Sequence, residues 1–456
     1  MTEDAAYWQD RLAALADKHG VVGASLAIQH GAQVVTAATG VLNLATGHPV
    51  TPDTLFQVGS ITKVWTATLV MQLVDDGLLD LDGPVVSYLP DFRVADAEVA
   101  RTLTIRQLLT HTSGIDGDFF PDFGRGDDAL PRYVEAMASL RQVHPPGAIM
   151  SYTNSGFVLL GHLVARLRGT TWEAALRERL LTPLGIPHAG TFAEEALLQA
   201  TATGHLYDAT TGVTVTPVWA GHRSVGPSGA LFAKATDLLA FAQLHLSGGV
   251  SKDGVRLLSE ESVAAMQHPE IDVKTGRPGT SQGLGWALET WGGQRVFGHG
   301  GQTTGNLADL VVLPDAGLAI SITTNGGREP GELLSDILSE VALALAGVEK
   351  PKPLTPPISP VTVDPSRYVG RYSCEGFQVD IVETDGGALQ LDLSVSDQLA
   401  DLMVPAMTLE LIAVDEEVML GRVAGLDHTY PCVFFDLDGD RYLHGAGRAF
   451  RRRLQA

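Results

Sequence analysis

Apolar and polar positions follow three successive patterns along this chain of 456 residues. Alternation with a period of two predicts a β-hairpin over 23–38, after a predicted amphipathic helix over 3–18. The apolar spacing of 61–246 is largely helical, strand-like segments return over 283–324, and a closing helix is predicted over 331–347. Because strands from both sides flank a helical middle, the pattern predicts an α+β fold in which an antiparallel sheet packs on a helical lobe, with a cleft at their junction.

A proline-rich segment at 350–360 separates this part of the chain from a second set of short strands. Such segments are extended and carry few contacts, so we place a first domain at 1–348, a linker at 349–364 and a second domain at 365–456, with few contacts between the two domains. Alternating apolar residues separated by turn residues predict that the second domain is a small antiparallel β-barrel. Its strands are predicted at 377–382, 388–393, 408–414, 418–423 and 432–436.

Ser60 and Lys63 form the first motif that indicates chemistry. Gly59 precedes the serine and an apolar run follows it, which predicts that Ser60 begins a helix and that Lys63 lies one turn later on the same face. A serine hydroxyl becomes a good nucleophile when a base takes its proton, and a partly desolvated lysine is such a base. No other serine in the chain has a lysine three residues later. The pair matches the S-x-x-K arrangement of serine acyl-transfer enzymes; the alternative is a helix-capping serine near an unrelated lysine.

Tyr152 and Asn154 form a second candidate element. A Pro/Gly turn at 145–147 leads into them and a helical pattern begins at Phe157, so Tyr152 is predicted on a loop with its hydroxyl directed into the cleft. A phenol near two cations can be deprotonated, or can pass a proton to a leaving group. Asn154 offers an amide to a substrate or to Lys63. The alternative is a buried core tyrosine followed by a helix-capping asparagine.

A glycine-rich segment around His299 is the third element. It follows the strand-like residues 294–297, so an inner strand would place the imidazole and the backbone N–H groups of Gly300, Gly301 and Gln302 against the cleft. The alternative is a histidine at a strand edge beside turn glycines.

Three motifs in this order resemble those of the serine β-lactamase and penicillin-binding-protein superfamily. The segments 103–114 (LTIRQLLTHTSG) and 181–185 (LTPLG) are also common in that group, and the resemblance runs from about Gly23 to about Asn325. It is greatest to class C β-lactamases, Streptomyces-type D-Ala-D-Ala carboxypeptidases and family VIII esterases. The resemblance implies a β-lactamase-like fold and a mechanism through an acyl-enzyme.

The resemblance also implies a role for each motif residue. Ser60 would be the acylated nucleophile, Lys63 and Tyr152 would handle its proton, and His299 would take the position of the third motif's cation. The backbone N–H groups of Ser60 and Gln302 would form the oxyanion hole. The predicted barrel is similar to the lipocalin-like appendage of some family members, where it would be a stabilising addition, a lid or a partner-docking module.

The third motif carries the prediction about substrate. Many relatives have Lys-Thr-Gly or His-Thr-Gly there, in which a cation and a hydroxyl bind a free carboxylate. The triplet at 274–276 (KTG) lies in a polar, loop-like segment, and we assign the third motif to His299-Gly300-Gly301, which has no hydroxyl. Arg295 would compensate if it turned inward; the alternative is an exposed strand arginine. We therefore expect poor hydrolysis of penicillins and of peptides that end in D-Ala-D-Ala, and faster reaction of esters and thioesters.

The amino-acid composition limits the binding partners, location and cofactors that can be expected. The chain has 31 basic and 53 acidic residues, a net charge of −22, which argues against nucleic acid and anionic membranes as partners. The N-terminal segment is acidic and has no signal-peptide pattern, so a cytoplasmic location is expected. No metal-ligand spacing or nucleotide fingerprint occurs, so no metal and no cofactor are expected. Cys374 and Cys432 are expected to be reduced.

Three classes of function fit these motifs. The first is a serine hydrolase of esters or amides that works through an acyl-enzyme. The second is a penicillin-binding-protein-type thioesterase that takes a thioester or carrier-protein-bound peptide and releases and cyclises it. The third, a non-catalytic binding protein, is disfavoured because the motifs are complete. A D-peptidase or weak β-lactamase is a further alternative, and the sequence leaves open whether water or an amine attacks the acyl-enzyme.

Overall fold

A computed structural model of the protein describes residues 4–219, 221–359, 361–397, 399, 406–423 and 429–453. Residue 3 of the predicted first helix, Pro360 of the predicted linker and 454–456 of the predicted second domain lie outside these ranges. The helices are α1 (Ala5–His19), α2 (Thr62–Asp75), α3 (Ala97–Thr102), α4 (Ile105–Leu109), α5 (Ala129–Ala136), α6 (Asn154–Arg168), α7 (Trp172–Leu176), α8 (Ala193–Ala196), α9 (Gly226–Gly229), α10 (Ala235–Leu246), α11 (Glu260–Met266) and α12 (Pro330–Val341).

The strands fall into a main sheet, a barrel and two small pairs. They are β1 (Gly23–His30), β2 (Gln33–Gly40), β3 (Phe56–Gln57), β4 (His205–Asp208), β5 (Gly212–Val215), β6 (Phe232–Ala233), β7 (Ile271–Asp272), β8 (Thr280–Gln282), β9 (Ala287–Trp291), β10 (Gln294–Thr303), β11 (Asn306–Leu313), β12 (Leu318–Thr324), β13 (Gly370–Cys374), β14 (Phe377–Glu383), β15 (Leu389–Val395), β16 (Met407–Ala413), β17 (Val418–Arg422), β18 (Thr429–Leu437), β19 (Asp440–Gly445) and β20 (Arg448–Arg453).

The main sheet joins strands from both sides of the helical middle, which confirms the predicted α+β fold. Its eight antiparallel strands have the order β2-β1-β12-β11-β10-β9-β8-β7. One face, with Leu26, Ile320 and Ile322, packs against α1 and α12, and the other face packs against the helical lobe. Every residue of β12 is buried because both faces of this central strand are covered.

The eight strands β13–β20 form the second unit, a closed antiparallel barrel in which the last strand pairs with the first. Its interior is apolar and aromatic, with Tyr368 and Tyr372 packed edge-on against Phe434. Cys374 and Cys432 are free thiols, and Cys432 is buried in this interior. Within the described residues no helix is long and apolar enough to cross a bilayer.

The barrel packs tightly against the helical lobe, so the expectation of few contacts between the two parts is wrong. A small apolar cluster crosses the boundary, where Val143 and Ile149 of the lobe meet Phe435 and Tyr442 of the barrel. Hydrogen bonds surround this cluster: the Tyr442 hydroxyl donates to the Val143 carbonyl (3.1 Å), His444 Nε2 donates to the Met150 carbonyl (3.1 Å), the Ala449 amide donates to Ser151 Oγ (3.1 Å) and the Glu375 amide donates to Asp116 Oδ1 (2.6 Å).

A cut in the largely exposed segment 351–359 should therefore leave the two parts associated. The apolar cluster and its hydrogen bonds hold the barrel in place without the covalent connection. A protease site inserted there, followed by cleavage and size-exclusion chromatography, should give one peak that contains both fragments. Separate elution of the fragments at micromolar concentration would contradict the prediction.

Candidate active site

Ser60 lies in a turn that contacts strand β10 of the main sheet and helix α9 of the helical lobe. It belongs to a single 3₁₀ turn, Gly59–Ile61, that leads directly into α2. The Thr62 hydroxyl donates to the Gly59 carbonyl (2.6 Å) and so ties the turn to the helix. Lys63 follows on the same side, and its Nζ lies within hydrogen-bonding distance of Ser60 Oγ (3.0 Å). The alternative of a capping serine beside an unrelated lysine is thereby disfavoured.

The Lys63 amine is completely buried and has three polar partners. Besides Ser60 Oγ, Nζ contacts Asn154 Oδ1 (2.7 Å) and the Ser228 carbonyl (2.7 Å). Burial lowers the pKa of Lys63 well below its usual value; Asp118 opposes this shift and Arg448 adds to it. A lowered pKa increases the fraction of neutral amine near neutral pH, and the neutral amine is the form that can accept the proton of Ser60.

Tyr152 stands beside Ser60 and Lys63 on the loop that precedes α6. Its ring centroid lies 4.8 Å from Lys63 Nζ, and its hydroxyl interacts with the Ser60 side chain. Burial raises the pKa of Tyr152 well above that of a free phenol, and the interaction with Ser60 opposes the shift only in part. The phenol is therefore protonated, which favours the proton-shuttle role over the phenolate role that the sequence left open.

His111 holds the Tyr152 ring in place, and sequence reasoning gave it no role. The two rings stack with centroids 4.4 Å apart and 25° between their planes. His111 Nδ1 accepts a hydrogen bond from the Thr153 amide (3.0 Å), and the residue has a positive φ of 56°. Burial lowers the pKa of His111 well below its usual value, so the ring is neutral. In the sequence, the only signal for His111 is the likeness of the segment 103–114 to the superfamily.

Strand β10 passes so close to the serine turn that only glycine fits at the contact. A Cβ at Gly301 would lie 1.9 Å from the Val58 carbonyl oxygen and 3.1 Å from the Ser60 nitrogen. In the other direction, a Cβ at Gly59 would lie 2.6 Å from the Gln302 nitrogen. The approach brings the backbone nitrogens of Ser60 and Gln302 to the same edge of the cleft. Two amides so placed can stabilise an oxyanion.

His299 lines the cleft on β10, with its ring centroid 6.3 Å from that of Tyr152. Burial, and then the nearby Lys63, lower the pKa of His299 to about 4, so it is neutral near pH 7. Its Nδ1 donates to the Gly300 carbonyl over 2.6 Å, because a carbonyl can only accept. In this tautomer Nε2 is an acceptor and carries no proton to offer to a carboxylate.

Arg295 lies outside the site, which corrects its inclusion among the candidates. It is on β10 four residues before His299, about 13 Å away along an extended strand. Its side chain is 71% exposed and pairs with Asp315 (2.9 Å). Lys274, from the rejected K-T-G triplet, lies against the barrel, with Nζ 4.7 Å from the centroid of the Phe435 ring.

Asn154 connects the site to two residues that the sequence did not single out. Its side-chain nitrogen donates to Asp118 Oδ1 (2.8 Å) while its oxygen accepts from Lys63. Asp118 in turn forms a two-pronged ion pair with Arg448, the first residue of β20 in the barrel. Within the described residues, no group of three or more His, Cys, Asp or Glu side chains is arranged to hold a metal ion.

Comparison with known proteins gives concordant matches. The β-lactamase family model matches residues 8–344. Penicillin-binding protein 4 of Amycolatopsis lactamdurans is 44% identical over 380 residues, which cover 82% of this chain and 99% of that protein. The crystal structure of SurE superposes with a TM-score of 0.79 at 29% identity and covers 99% of this chain and all of that one; SurE has also been solved with D-Leu. D-amino acid amidase from Ochrobactrum anthropi SV3 shares the fold, with a TM-score of 0.62 at 24% identity over 74% of this chain and 98% of that one.

Replacement of Tyr152 by phenylalanine should lower kcat/KM by roughly 10²–10⁴-fold, the usual contribution of one acid–base group. The change removes only a hydroxyl, so the melting temperature should move little. Tyr372→Phe is the matched control, because it removes the hydroxyl of a buried tyrosine in the barrel that donates to the Tyr368 carbonyl (2.8 Å). A Tyr152→Phe variant as active as this control would make Tyr152 a structural residue.

Proposed function

Since the chain belongs to the β-lactamase family of serine hydrolases, we propose that Ser60 forms an acyl-enzyme with ester, thioester or peptidyl acyl substrates. The observation that carries the proposal is the buried Lys63 amine within hydrogen-bonding distance of the Ser60 hydroxyl. Such a pair supplies a nucleophile and its base without a histidine–aspartate pair.

Acylation begins when the neutral Lys63 amine accepts the Ser60 proton and Oγ attacks the acyl carbonyl carbon. The backbone N–H groups of Ser60 and Gln302 bind the oxyanion of the tetrahedral intermediate. When this intermediate collapses, the bond from the carbonyl carbon to the leaving oxygen, sulfur or nitrogen breaks. Tyr152 gives its proton to the leaving atom and takes the proton that Lys63 holds, which restores both side chains.

Deacylation repeats these steps with a new nucleophile. Lys63 and Tyr152 take the proton of the attacking group, and the Ser60 ester bond breaks as Oγ recovers its proton. With water the product is an acid, and with an amine of the same acyl chain the product is a ring. The site chemistry is common to both outcomes.

Recognition of a free carboxylate is weak in this site. The triplet of His299, Gly300 and Gly301 has no hydroxyl, and the neutral His299 carries its proton on Nδ1, so its Nε2 has none to donate. Arg295 is paired with Asp315 on the exposed part of β10 and supplies no replacement. We therefore place esters and thioesters ahead of penicillins and D-Ala-D-Ala peptides as substrates.

A second candidate is a penicillin-binding-protein-type thioesterase that releases and macrocyclises nonribosomal peptides. The site suits a thioester donor, because Ser60 and Lys63 act on the acyl carbonyl whatever the leaving atom is. The match to SurE extends over 99% of this chain and so includes the barrel. The D-Leu bound to SurE is a single D-residue, and an acyl group with a D-configured end is the form that this candidate would take here.

Labelling identifies the nucleophile. A fluorophosphonate should modify Ser60 in the intact protein, and Ser60→Ala should lower turnover by at least about 10³-fold. Ser228→Ala is the control, because the Ser228 hydroxyl donates to the Val225 carbonyl (2.8 Å) and only its carbonyl reaches Lys63. An adduct on Ser228, or full activity in Ser60→Ala, would overturn the proposal.

A matched substrate pair tests carboxylate recognition. The kcat/KM of an acyl-D-Ala-D-Ala peptide should not exceed that of its C-terminal methyl ester or amide, because the third motif offers no protonated side chain to a free carboxylate. A site that binds the carboxylate would favour the acid by roughly tenfold to 10²-fold, the value of one charge-assisted hydrogen bond. A p-nitrophenyl ester and a peptidyl thioester should react much faster than a cephalosporin in the same assay. The reverse order would support the β-lactamase or D-peptidase alternative.

A further inference from the structure

The turn between β19 and β20 inserts the tip of a barrel hairpin behind Tyr152. Ala446 and Gly447 form this two-residue turn and both have a positive φ, 49° and 75°, as the tight turns of β-hairpins require. The Gly447 carbonyl accepts a hydrogen bond from the Tyr152 amide (2.8 Å). The next residue, Arg448, extends from the tip into the helical lobe, with its guanidinium carbon 5.5 Å from the Tyr152 ring centroid.

Arg448 meets a carboxylate that is almost completely enclosed. The Asp118 side chain is 3% exposed, and Arg448 binds it through Nε to Oδ2 and through Nη2 to Oδ1 (3.0 Å). A buried carboxylate without a counter-charge is costly, and a bidentate arginine compensates it best. The third nitrogen, Nη1, donates to the Ala446 carbonyl (3.0 Å) and fixes the guanidinium to the hairpin tip.

The ion pair fixes the direction of the Asn154 amide. Asp118 accepts only, so it selects the nitrogen end of the amide, and the oxygen end is left facing Lys63 Nζ. Polar contacts therefore run in series from Arg448 through Asp118, Asn154 and Lys63 to Ser60.

We propose that Arg448 is a positioning residue, supplied to the active site by the barrel, that orients Asn154 and keeps Lys63 in its role as base by neutralising Asp118. The inference rests on the proposed role of Lys63 in the acyl-enzyme mechanism. The barrel then completes the active site, and it is more than the stabilising addition or partner-docking module considered from the sequence.

The charges around Lys63 determine the direction in which the loss of Arg448 would shift the pKa of Lys63, and this direction can be measured. The ionisable groups that face its amine are Asp118 from the loop before α5, Arg448 from β20, Tyr152 from the loop before α6, His111 from the segment after α4 and His299 from β10. Tyr152, His111 and His299 are uncharged near neutral pH, so Asp118 and Arg448 are the charged pair. Without Arg448 the Asp118 charge acts alone and raises the pKa of Lys63, which leaves less neutral amine at any given pH.

The test compares single and double variants of the full-length protein. Arg448→Met should lower kcat/KM for a p-nitrophenyl ester roughly 10²-fold near pH 7, since misplaced reacting groups cost that much. It should also move the acidic limb of the pH–rate profile to higher pH by roughly 1–3 units. The double variant Arg448→Met/Asp118→Asn has no uncompensated charge, and the side-chain oxygen at position 118 can still accept from the Asn154 amide. The acidic limb of the double variant should therefore return toward its original position. Arg448→Lys should keep the limb near its original position and recover part of the rate.

Arg451→Met is the matched control, because Arg451 is on the same strand and pairs with Asp440 at the barrel surface. It should leave both the rate and the profile unchanged. A lower melting temperature of Arg448→Met with an unchanged pH profile and unchanged rate of Ser60 labelling would show a purely structural role and overturn the inference. If Ser60 is not labelled even in the unmodified protein, the proposed function itself fails. These two failures are therefore distinguishable.

Discussion

The enclosure of the Lys63 amine is the constraint on which the rest of the site depends. An amine sealed from water must have polar partners, and here they come from three parts of the chain: the Ser60 turn, the start of α6 at Asn154 and the Ser228 carbonyl in α9. The α2, α6 and α9 helices converge so that these atoms meet. The same enclosure lowers the pKa of Lys63. Burial of the amine therefore accounts both for the convergence of its polar partners and for its suitability as a base.

Sequence reasoning was most successful where the physical signal is local. The spacing of Ser60 and Lys63 on one helix face, the turn before Tyr152 and the alternating strands all depend on neighbours within a few residues. For the same reason the two arginines could not be separated: Arg295 and Arg448 both lie on strands rich in polar residues. Only the long-range packing shows that Arg295 pairs with Asp315 at the surface while Arg448 reaches Asp118, 330 residues away in the chain. His111 was missed because ring stacking leaves no spacing pattern.

The prediction of few contacts between the two domains failed for a related reason. Proline and exposure are properties of 351–359 itself, whereas the association of the two parts depends on surfaces elsewhere. On the lobe, those surfaces are short loop segments around Val143 and Ile149 whose apolar residues resemble ordinary core positions in the sequence. On the barrel, they are outward-facing residues of β18–β20, among them Phe435 and Tyr442. A barrel with an apolar outer patch must cover it, and the loop that carries Tyr152 is what covers it here.

The ion pair between Asp118 and Arg448 also sets an order of events during synthesis. A ribosome makes every motif residue, from Ser60 to His299, before it makes Arg448. Domains fold in turn as they emerge, so the sheet and helical lobe can assemble around Lys63 while Arg448, the counter-charge of Asp118, is still missing. The nascent protein would then hold a folded but poorly activated serine until the barrel closes. On the proposed mechanism, the full reactivity of Ser60 toward acyl substrates would begin only with the finished chain.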